Sequence, residues 1–202
     1  MLSGLLVVAT AFVVGSIPFS QLFAVGLRGT DLRTVDSGTV SGTSLYRVAG
    51  FPALAVAGVL EVGKGAVGPL LAGDHHVVGA LAAGAAVAGH NWSPFLRGAG
   101  GRGISPALGA LLVVAWPGTV VLLLGMIIGR LTHRTGLGSF VADLILVPTV
   151  AVTHGPPGAL TGAAVLVPMV AKRLAGNGPP PPGPRTRVLA NRLLYDNDVG
   201  PG

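Results

Sequence analysis

The chain has 202 residues, of which 50% are hydrophobic and only 10% are charged, with 13 Lys and Arg against 7 Asp and Glu. Soluble domains carry about 25% charged residues, so this composition, with a mean hydropathy of +0.73, predicts an integral membrane protein. It argues against a nucleic-acid-binding domain, in which dense basic patches alternate with aromatic side chains. The chain has no cysteine, which excludes disulfide and zinc-thiolate chemistry, and no metal or cofactor is predicted.

Apolar segments predict an all-α membrane fold with about seven transmembrane helices. They lie at 2–27, 50–73, 77–90, 104–116, 118–129, 137–153 and 157–171. The fourth and fifth segments are short for a ~30 Å hydrocarbon core, and the alternative joins them into one helix kinked at Pro117. We prefer a tight hairpin at Pro117-Gly118, because the distribution of charge requires two spans.

Basic residues indicate the orientation in the membrane. With seven spans, every Lys and Arg except Lys64 falls in odd-numbered loops or in the C-terminal tail, all on one side. Cytoplasmic loops carry an excess of Lys and Arg, so we predict the N-terminus outside and the C-terminus in the cytoplasm. A single helix over 104–129 would place the later arginines on the opposite side.

The first cytoplasmic loop, residues 36–44 with the sequence DSGTVSGTS, is rich in hydroxyl groups and is followed by Arg47. Its hydroxyl-bearing residues include Ser37, Thr39, Thr43 and Ser44. Hydroxyls, glycines and a guanidinium suit an oxygen-rich anion or a polyol. The alternative is a flexible loop without a ligand.

Glu61 and Lys64 lie three residues apart in the second span, and therefore on one face of the helix. Ionisable groups at membrane depth are costly and usually face an interior site. Two interpretations stay open, a structural ion pair within the membrane or a lysine that reaches a ligand phosphate. Asp143, in the sixth span, is expected to pair with an arginine near the cytoplasmic end, without a choice of partner.

The stretch Gly89–Gly109, GHNWSPFLRGAGGRGISPALG, places His90, Arg97 and Arg102 among glycines between two apolar segments. Backbone N–H groups of glycines can approach a ligand closely, and with guanidinium groups they form a receptor for phosphate. The alternative is a plain basic loop between helices. The predicted topology places this stretch on the same membrane face as residues 36–44, which favours a phosphate site. A Rossmann reading of its G-x-G-x-x-G pattern fails, because no strand precedes it.

The composition changes after residue 171, and we divide the chain into a membrane domain at 1–175 and a cytoplasmic tail at 176–202. The tail begins with a proline-rich spacer at 177–184. The segment 185–198 predicts a short amphipathic helix with one apolar side and one basic side that faces anionic headgroups. The apolar side contains Val188, Leu189, Leu193 and Leu194, and the basic side contains Arg185, Arg187 and Arg192. A solvated tail is the alternative.

From Gly15 to about Ser139 the chain resembles the acyl-phosphate-dependent glycerol-3-phosphate acyltransferases of bacteria, whose motifs occur here in the same order. The matching elements are GSIPF at 15–19, SGTVSGTS at 37–44 followed by Arg47, EVGKG at 61–65, GH at 89–90 with PFL at 94–96, GAGGRGISP at 98–106 and LGS at 137–139. The asparagines, lysines and threonine of that family are replaced here by Thr39, Ser44, Ala99, Arg102 and Pro106. The family's C-terminal His and Asn have no clear counterpart around residues 172–174.

The resemblance implies a seven-helix enzyme of the bacterial inner membrane with its active site on the cytoplasmic face. It implies transfer of a fatty acyl group from acyl phosphate to glycerol 3-phosphate, giving lysophosphatidate, with these substrates and membrane lipids as partners and no nucleic acid. The alternative is a retasked or non-catalytic relative that binds a phosphate-bearing lipid or uses another acceptor.

The resemblance also implies roles for particular residues. The catalytic residues are Ser37, Thr43 and His90, with His90 acting as a general base or serving only the structure. The residues implied in phosphate binding are Arg47, Lys64, Arg97, Gly100, Gly101, Arg102 and Gly103. Weaker substrate contacts are implied for Thr39, Ser44, Glu61 and Ser139.

Overall fold

The computed structural model describes residues 3–35 and 38–200. The α-helices of these residues are α1 (Gly4–Ser16), α2 (Phe19–Arg28), α3 (Gly42–Ala72), α4 (His76–Asn91), α5 (Ile104–Val114), α6 (Trp116–Leu131), α7 (Thr135–Ala175) and α8 (Arg185–Tyr195). Short 3₁₀ turns lie at Leu32–Thr34 and Pro94–Leu96. The stretches Gly4–Arg28, Gly42–Ala72 and Thr135–Ala175 are long and apolar enough to cross a membrane, and α5 and α6 are shorter apolar helices. The predicted all-α class is confirmed.

The first predicted span is two helices rather than one. The chain leaves helical geometry at Ile17, where ψ is 117°, and at Pro18, where ψ is 73°. Proline has no backbone N–H to donate to the preceding turn, so α1 ends and α2 begins across this dipeptide. The prediction of one continuous helix over 2–27 is wrong at this point.

The longest helix, α7, is a hairpin with a first arm at 135–154 and a second arm at 156–175. Gly155 separates the arms with φ 61° and ψ −151°, a left-handed region that glycine enters readily. Gly158 packs so closely on the first arm that an added Cβ would lie 2.4 Å from the Val150 carbonyl oxygen. The two arms are therefore antiparallel neighbours and correspond to the sixth and seventh predicted spans.

A second hairpin joins α5 and α6. Thr119 donates a hydrogen bond of 3.1 Å to the Leu108 carbonyl, which places the two helices side by side as separate spans, as predicted. The turn lies at Ala115, with φ −155° and ψ 71°. The predicted turn at Pro117-Gly118 is wrong, because Pro117 lies in the first turn of α6, where helices do not need its N–H.

Small residues bring the membrane helices into close contact. An added Cβ on Gly65 of α3 would lie 1.9 Å from the Pro106 carbonyl oxygen, and one on Gly109 of α5 would lie 1.9 Å from that of Val62. Lipid offers no hydrophobic drive for helix association, so such interfaces depend on close packing of small residues. Contact between α3 and α5 fixes the start of α5, where the site described below is built.

The tail forms the predicted short helix, α8, but its orientation differs from the prediction. Arg192 is buried and donates to the carbonyls of Leu174 at 3.0 Å and Ala175 at 2.7 Å. The last carbonyls of a helix have no intrahelical donor, so a guanidinium satisfies the end of α7. The prediction that Arg192 faces lipid headgroups is wrong, whereas Arg185 and Arg187 are exposed.

Candidate active site

The break between α1 and α2 is held by an ion pair from α3. Lys64 Nζ lies 2.6 Å from Glu61 Oε2 and donates to the Ile17 carbonyl at 2.7 Å, while Glu61 Oε1 accepts the backbone N–H of Ser20 at 3.0 Å. Both charged residues are buried, at 3% exposure. The first N–H groups of a helix lack intrahelical partners, so the pair satisfies backbone groups next to Pro18. The structure contains the intramembrane ion pair, and phosphate binding by Lys64 stays a prediction.

His90, at the end of α4, extends this network towards the central loop. Its Nδ1 lies 3.2 Å from Glu61 Oε2. A carboxylate only accepts hydrogen bonds, so we assign the proton to Nδ1. The other nitrogen, Nε2, faces Gly101, where an added Cβ would lie 2.2 Å away. His90 therefore joins the ion pair on one side to the backbone of the central loop on the other.

The glycine loop, residues 98–103, lies directly on the C-terminal end of α4. The Gly101 N–H donates to the His90 carbonyl at 3.3 Å, and an added Cβ on Gly100 would lie 2.2 Å from the same oxygen. A side chain at either position has no room. Gly103 then begins α5 with φ 82°, so the N-terminal end of that helix, which favours anions, follows the loop immediately.

The hydroxyl-rich loop before α3 contacts the glycine loop, which the predicted topology places on the same membrane face. The Val40 N–H donates to the Gly100 carbonyl at 3.2 Å, and the Ser44 hydroxyl donates to the Thr39 carbonyl at 3.1 Å. Thr43 and Arg47 are exposed at the start of α3. The predicted catalytic Ser37 lies outside the described residues.

Two other predicted residues lie at opposite extremes of burial. Arg97 is exposed, with φ 57°, at the end of the 3₁₀ turn that precedes the glycine loop. Ser139 is 8% exposed in the first arm of α7, beside Gly138, which packs against Gly125 of α6. The structure thus places Arg97 at the loop and Ser139 in a helix interface.

The tail supplies contacts to the site that the sequence did not predict. Asp196 Oδ1 lies 2.6 Å from Arg102 Nε, and partial burial raises the pKa of the Asp196 carboxyl although the Arg102 charge opposes the rise. Asn177 Nδ2 donates to Thr39 Oγ1 at 3.2 Å and to the Gly100 carbonyl at 3.3 Å. Asn177 begins the proline-rich spacer and Asp196 lies beyond it, so no periodic pattern indicated these contacts.

The end of α7 brings further charge to the loop. Lys172 Nζ donates to the Gly98 carbonyl at 3.4 Å and lies 5.4 Å from the centre of the Trp92 ring. Its neighbour Arg173 lies 3.7 Å from Asp143, which identifies the arginine partner that the sequence left open. Among residues 3–35 and 38–200, no group of three or more His, Asp or Glu side chains is placed to hold a metal ion.

Comparison with known proteins identifies the family of the chain. The sequence model of the glycerol-3-phosphate acyltransferase family matches residues 5–177. The chain belongs to this family. It is 37% identical over 170 residues to a glycerol-3-phosphate acyltransferase of Synechococcus sp. (strain CC9902), covering 82% of this chain and 84% of the relative. It is 35% identical over 176 residues to one of Jannaschia sp. (strain CCS1), covering 83% of each chain. The family inferred from the motifs is confirmed.

Solved structures of this family have the same fold. The structure of PlsY (YgiH), an integral membrane glycerol 3-phosphate acyltransferase, in its glycerol 3-phosphate form has a TM-score of 0.78 and 26% sequence identity, covering 99% of this chain and 96% of that one. Its lysophosphatidic acid form has a TM-score of 0.75 at 22% identity. The predicted multi-pass membrane fold is confirmed. The family match ends at residue 177, so Asp196 belongs to a segment beyond it.

Proposed function

We propose that this chain transfers a fatty acyl group from acyl phosphate to the 1-hydroxyl of glycerol 3-phosphate. The observation that carries the proposal is the contact between the first loop and the glycine loop at Gly100, beside Arg102 and the N-terminal end of α5. Backbone N–H groups, a guanidinium and a helix N-terminus are the groups that bind phosphate in proteins. Family membership supports the same acceptor and product.

The chemistry needs no covalent enzyme intermediate. Acyl phosphate is a mixed anhydride, so the acceptor oxygen forms a bond to the acyl carbon while the bond from that carbon to the phosphate oxygen breaks. Inorganic phosphate leaves, and the proton of the hydroxyl passes to a phosphate oxygen. The protein then contributes by holding the two substrates together and by stabilising negative charge on the carbonyl oxygen.

The two phosphates are assigned to the cations and the backbone of the loops. Arg47 and Arg97, both exposed at the loop ends, meet the substrates from the aqueous side. Arg102 and the N–H groups of Gly100 and Gly103 hold the phosphate nearest to the helix N-terminus. Gly101 keeps the loop in place, because its N–H already donates to the His90 carbonyl. We assign Lys64 an indirect role, because its ammonium already contacts Ile17 and Glu61.

Hydroxyl groups of the first loop hold the acceptor. We place Ser37 and Thr43 on the acceptor or on the carbonyl oxygen, with weaker contacts from Thr39 and Ser44. A hydroxyl both donates and accepts hydrogen bonds, which suits a polyol in two orientations. Glu61 and Ser139, which are buried away from solvent, contribute by supporting the helices that carry these loops.

His90 is assigned a positioning role, and a substrate phosphate oxygen accepts the proton. Nδ1 is directed to Glu61 and Nε2 lies beneath the Gly101 backbone, so both ring nitrogens face protein groups. A general base must reach the proton that it removes. The ring therefore packs between the Glu61–Lys64 pair and the glycine loop and fixes the position of the loop relative to the pair.

The active site is placed at the cytoplasmic face of the inner membrane. The two loops that meet at Gly100 belong to the positively charged side of the chain, which the positive-inside rule assigns to the cytoplasm. The acyl chain would lie between the helices in the inner leaflet. Water-soluble glycerol 3-phosphate then reaches the site from the opposite direction.

The test is an assay of purified protein with acyl phosphate and glycerol 3-phosphate, following lysophosphatidate and phosphate. Ser37→Ala and Arg102→Ala are expected to lose transfer while their unfolding temperature in detergent stays near that of the wild type. Wild-type rates in both variants would contradict the site assignment. A wild-type protein that binds phosphate but makes no lysophosphatidate would support the second candidate, a non-catalytic relative.

A further inference from the structure

Two cations approach the glycine loop from opposite ends of the sequence. Arg102 Nη1 donates to the backbone carbonyl of Lys172 at 3.3 Å, and Lys172 Nζ donates to the Gly98 carbonyl at 3.4 Å. These two contacts bring an ammonium and a guanidinium to the same loop, which makes this position strongly positive.

The buried ammonium group of Lys172 donates few hydrogen bonds to the protein. Its side chain is among the largest that are fully buried, at 2% exposure, and its partners are one long hydrogen bond and the face of Trp92. In the described part of the chain, no carboxylate oxygen lies within 4.0 Å of its Nζ. An ammonium has three donors, and a buried charge is costly unless it is paired. The remaining donors point to an anion that the resting site does not supply.

Arg102, in contrast, already has an anion. The Asp196 carboxylate lies 2.6 Å from its Nε, at the point where α8 ends with φ 56°. Arg173 is engaged separately with Asp143 and with the Gly136 and Leu193 carbonyls. One carboxylate therefore stands against two cations here, and it contacts Arg102 but not Lys172. A carboxylate and a phosphate both bind arginine through anionic oxygens.

We propose that Arg102 and Lys172 together form a subsite for a phosphate dianion, and that the Asp196 carboxylate of the tail fills this subsite until a substrate phosphate replaces it. The inference rests on the proposed function and adds Lys172 and Asp196 to it. A dianion matches two cations, whereas one carboxylate neutralises only one of them. Replacement of the carboxylate by phosphate therefore completes the charge balance that the resting arrangement leaves open.

The tail is built so that Asp196 can withdraw while α8 stays attached. Arg192 fastens α8 to the end of α7 through the Leu174 and Ala175 carbonyls, and neither carbonyl belongs to the glycine loop. Asp196 lies just after the last residue of α8, so its side chain can turn away from Arg102 without unwinding the helix. Val188, which is 7% exposed, keeps the apolar contact of α8 with the domain.

The experiment uses the full chain purified in detergent, with inorganic phosphate as the probe and the thermal unfolding midpoint as the readout. Each protein is compared with itself without phosphate, so a change in folding does not confuse the binding measurement. Binding to the folded state stabilises it by RT ln(1 + [L]/Kd), so the rise of the midpoint with phosphate concentration reports the Kd. Lys172→Met is expected to weaken phosphate binding at least about tenfold, and Asp196→Asn is expected to strengthen it by about tenfold.

Matched controls come from the same tail. Asp198→Asn removes a carboxylate that pairs with Arg192 instead of Arg102, and Arg187→Met removes an exposed cation of α8. Both controls should bind phosphate as the wild type does. If Asp196→Asn binds phosphate no more tightly than Asp198→Asn does, the proposed role of the tail is overturned. If Lys172→Met binds phosphate as tightly as Arg187→Met does, the proposed role of the lysine is overturned.

Acyl transfer measured on the same preparations separates this inference from the proposed function. In kinetic terms, Asp196→Asn should lower the KM for glycerol 3-phosphate, because an internal competitor is removed. If the wild type is active but phosphate raises the unfolding midpoint equally in all variants, the subsite is overturned and the proposed function stands. If the variants bind phosphate as predicted but the wild type makes no lysophosphatidate, the subsite is supported and the proposed function is contradicted.

Discussion

Lys64 and Ile17 are joined by a hydrogen bond of 2.7 Å between an ammonium group and a backbone carbonyl, across the break in the first span. Ser93 Oγ donates to the neighbouring Ser16 carbonyl at 2.6 Å. Side chains from two other parts of the fold thus satisfy the end of α1, where Pro18 prevents the helix from continuing. Two separate sequence motifs, GSIPF and EVGKG, therefore act as one structural unit.

Loss of the Lys64 charge is predicted to destabilise the protein. In Lys64→Met the Glu61 carboxylate stays buried without its close partner, and breaking a buried pair in this way costs about 3–5 kcal/mol. The free energy of unfolding in detergent, measured by denaturant titration, checks this. The double variant Lys64→Met/Glu61→Gln should recover part of the loss. If the free energy of unfolding of Lys64→Met is within about 1 kcal/mol of the wild-type value but activity is lost, direct phosphate binding by Lys64 is supported instead.

A conservative change at His90 separates positioning from proton transfer. The side-chain amide of His90→Asn can replace the Nδ1–H group that faces Glu61, so kcat is expected to stay within about tenfold of the wild type. Removal of a true general base costs about 10² to 10⁴ in rate. Steady-state kinetics of the variant, with His90→Leu as the variant that lacks the donor, decides between the two roles. A fall of that larger size in His90→Asn would make His90 the base.

A methyl group in the glycine loop is predicted to impair the site. In Gly101→Ala the new Cβ would lie 2.2 Å from His90 Nε2 and 2.9 Å from the Val40 carbonyl oxygen, so the loop must move away from both. We expect kcat/KM to fall more than about tenfold, since catalysis depends on the placement of phosphate ligands. Gly58→Ala is the matched control, because no atom lies within 4 Å of its added Cβ. Equal kinetics for the two variants would contradict the site geometry.

Acid is predicted to remove a stabilising contact in the first loop. The hydrogen bonds from Arg33 lower the pKa of Asp31 to about 2 from the usual 3.8. A carboxyl with a lowered pKa stabilises the folded state above the unfolded value, and this contribution is lost as the pH falls through the folded value. The unfolding midpoint of Asp31→Asn should therefore lie below that of the wild type at neutral pH by a constant amount. The gap should close between pH 4 and pH 2, and a gap that is unchanged at pH 2 would contradict the pairing.

Hydropathy and charge predicted most of the membrane domain. Apolar segments set the number of spans, and the arginines required two helices where hydropathy alone allowed one over 104–129. The i, i+3 spacing of Glu61 and Lys64 predicted a shared helix face, and the topology predicted that the first loop and the glycine loop would lie on the same membrane face. These predictions depend on helical periodicity and on the distribution of Lys and Arg between loops, and both can be determined from the sequence alone.

The features that were missed depend on contacts between distant residues. Pro18 lies in a mainly apolar segment, where a proline can either kink a helix or end it. The Lys64 and Glu61 contacts that hold the break come from more than 40 residues away. The turn at Ala115 has no glycine or proline at its centre. Asp196 lies beyond a proline-rich spacer and contacts Arg102. No sequence pattern predicts which residue an isolated acidic side chain in a tail will contact.

The most direct test of the account is the product balance of the purified protein supplied with acyl phosphate and glycerol 3-phosphate. We predict that lysophosphatidate and inorganic phosphate form in equal amounts, and that omission of glycerol 3-phosphate stops the release of phosphate. Arg102→Ala should lose both products, whereas Arg187→Met should form both at the wild-type rate. Phosphate release without lysophosphatidate, or the absence of both products in the wild-type protein, would contradict the proposed acyl transfer.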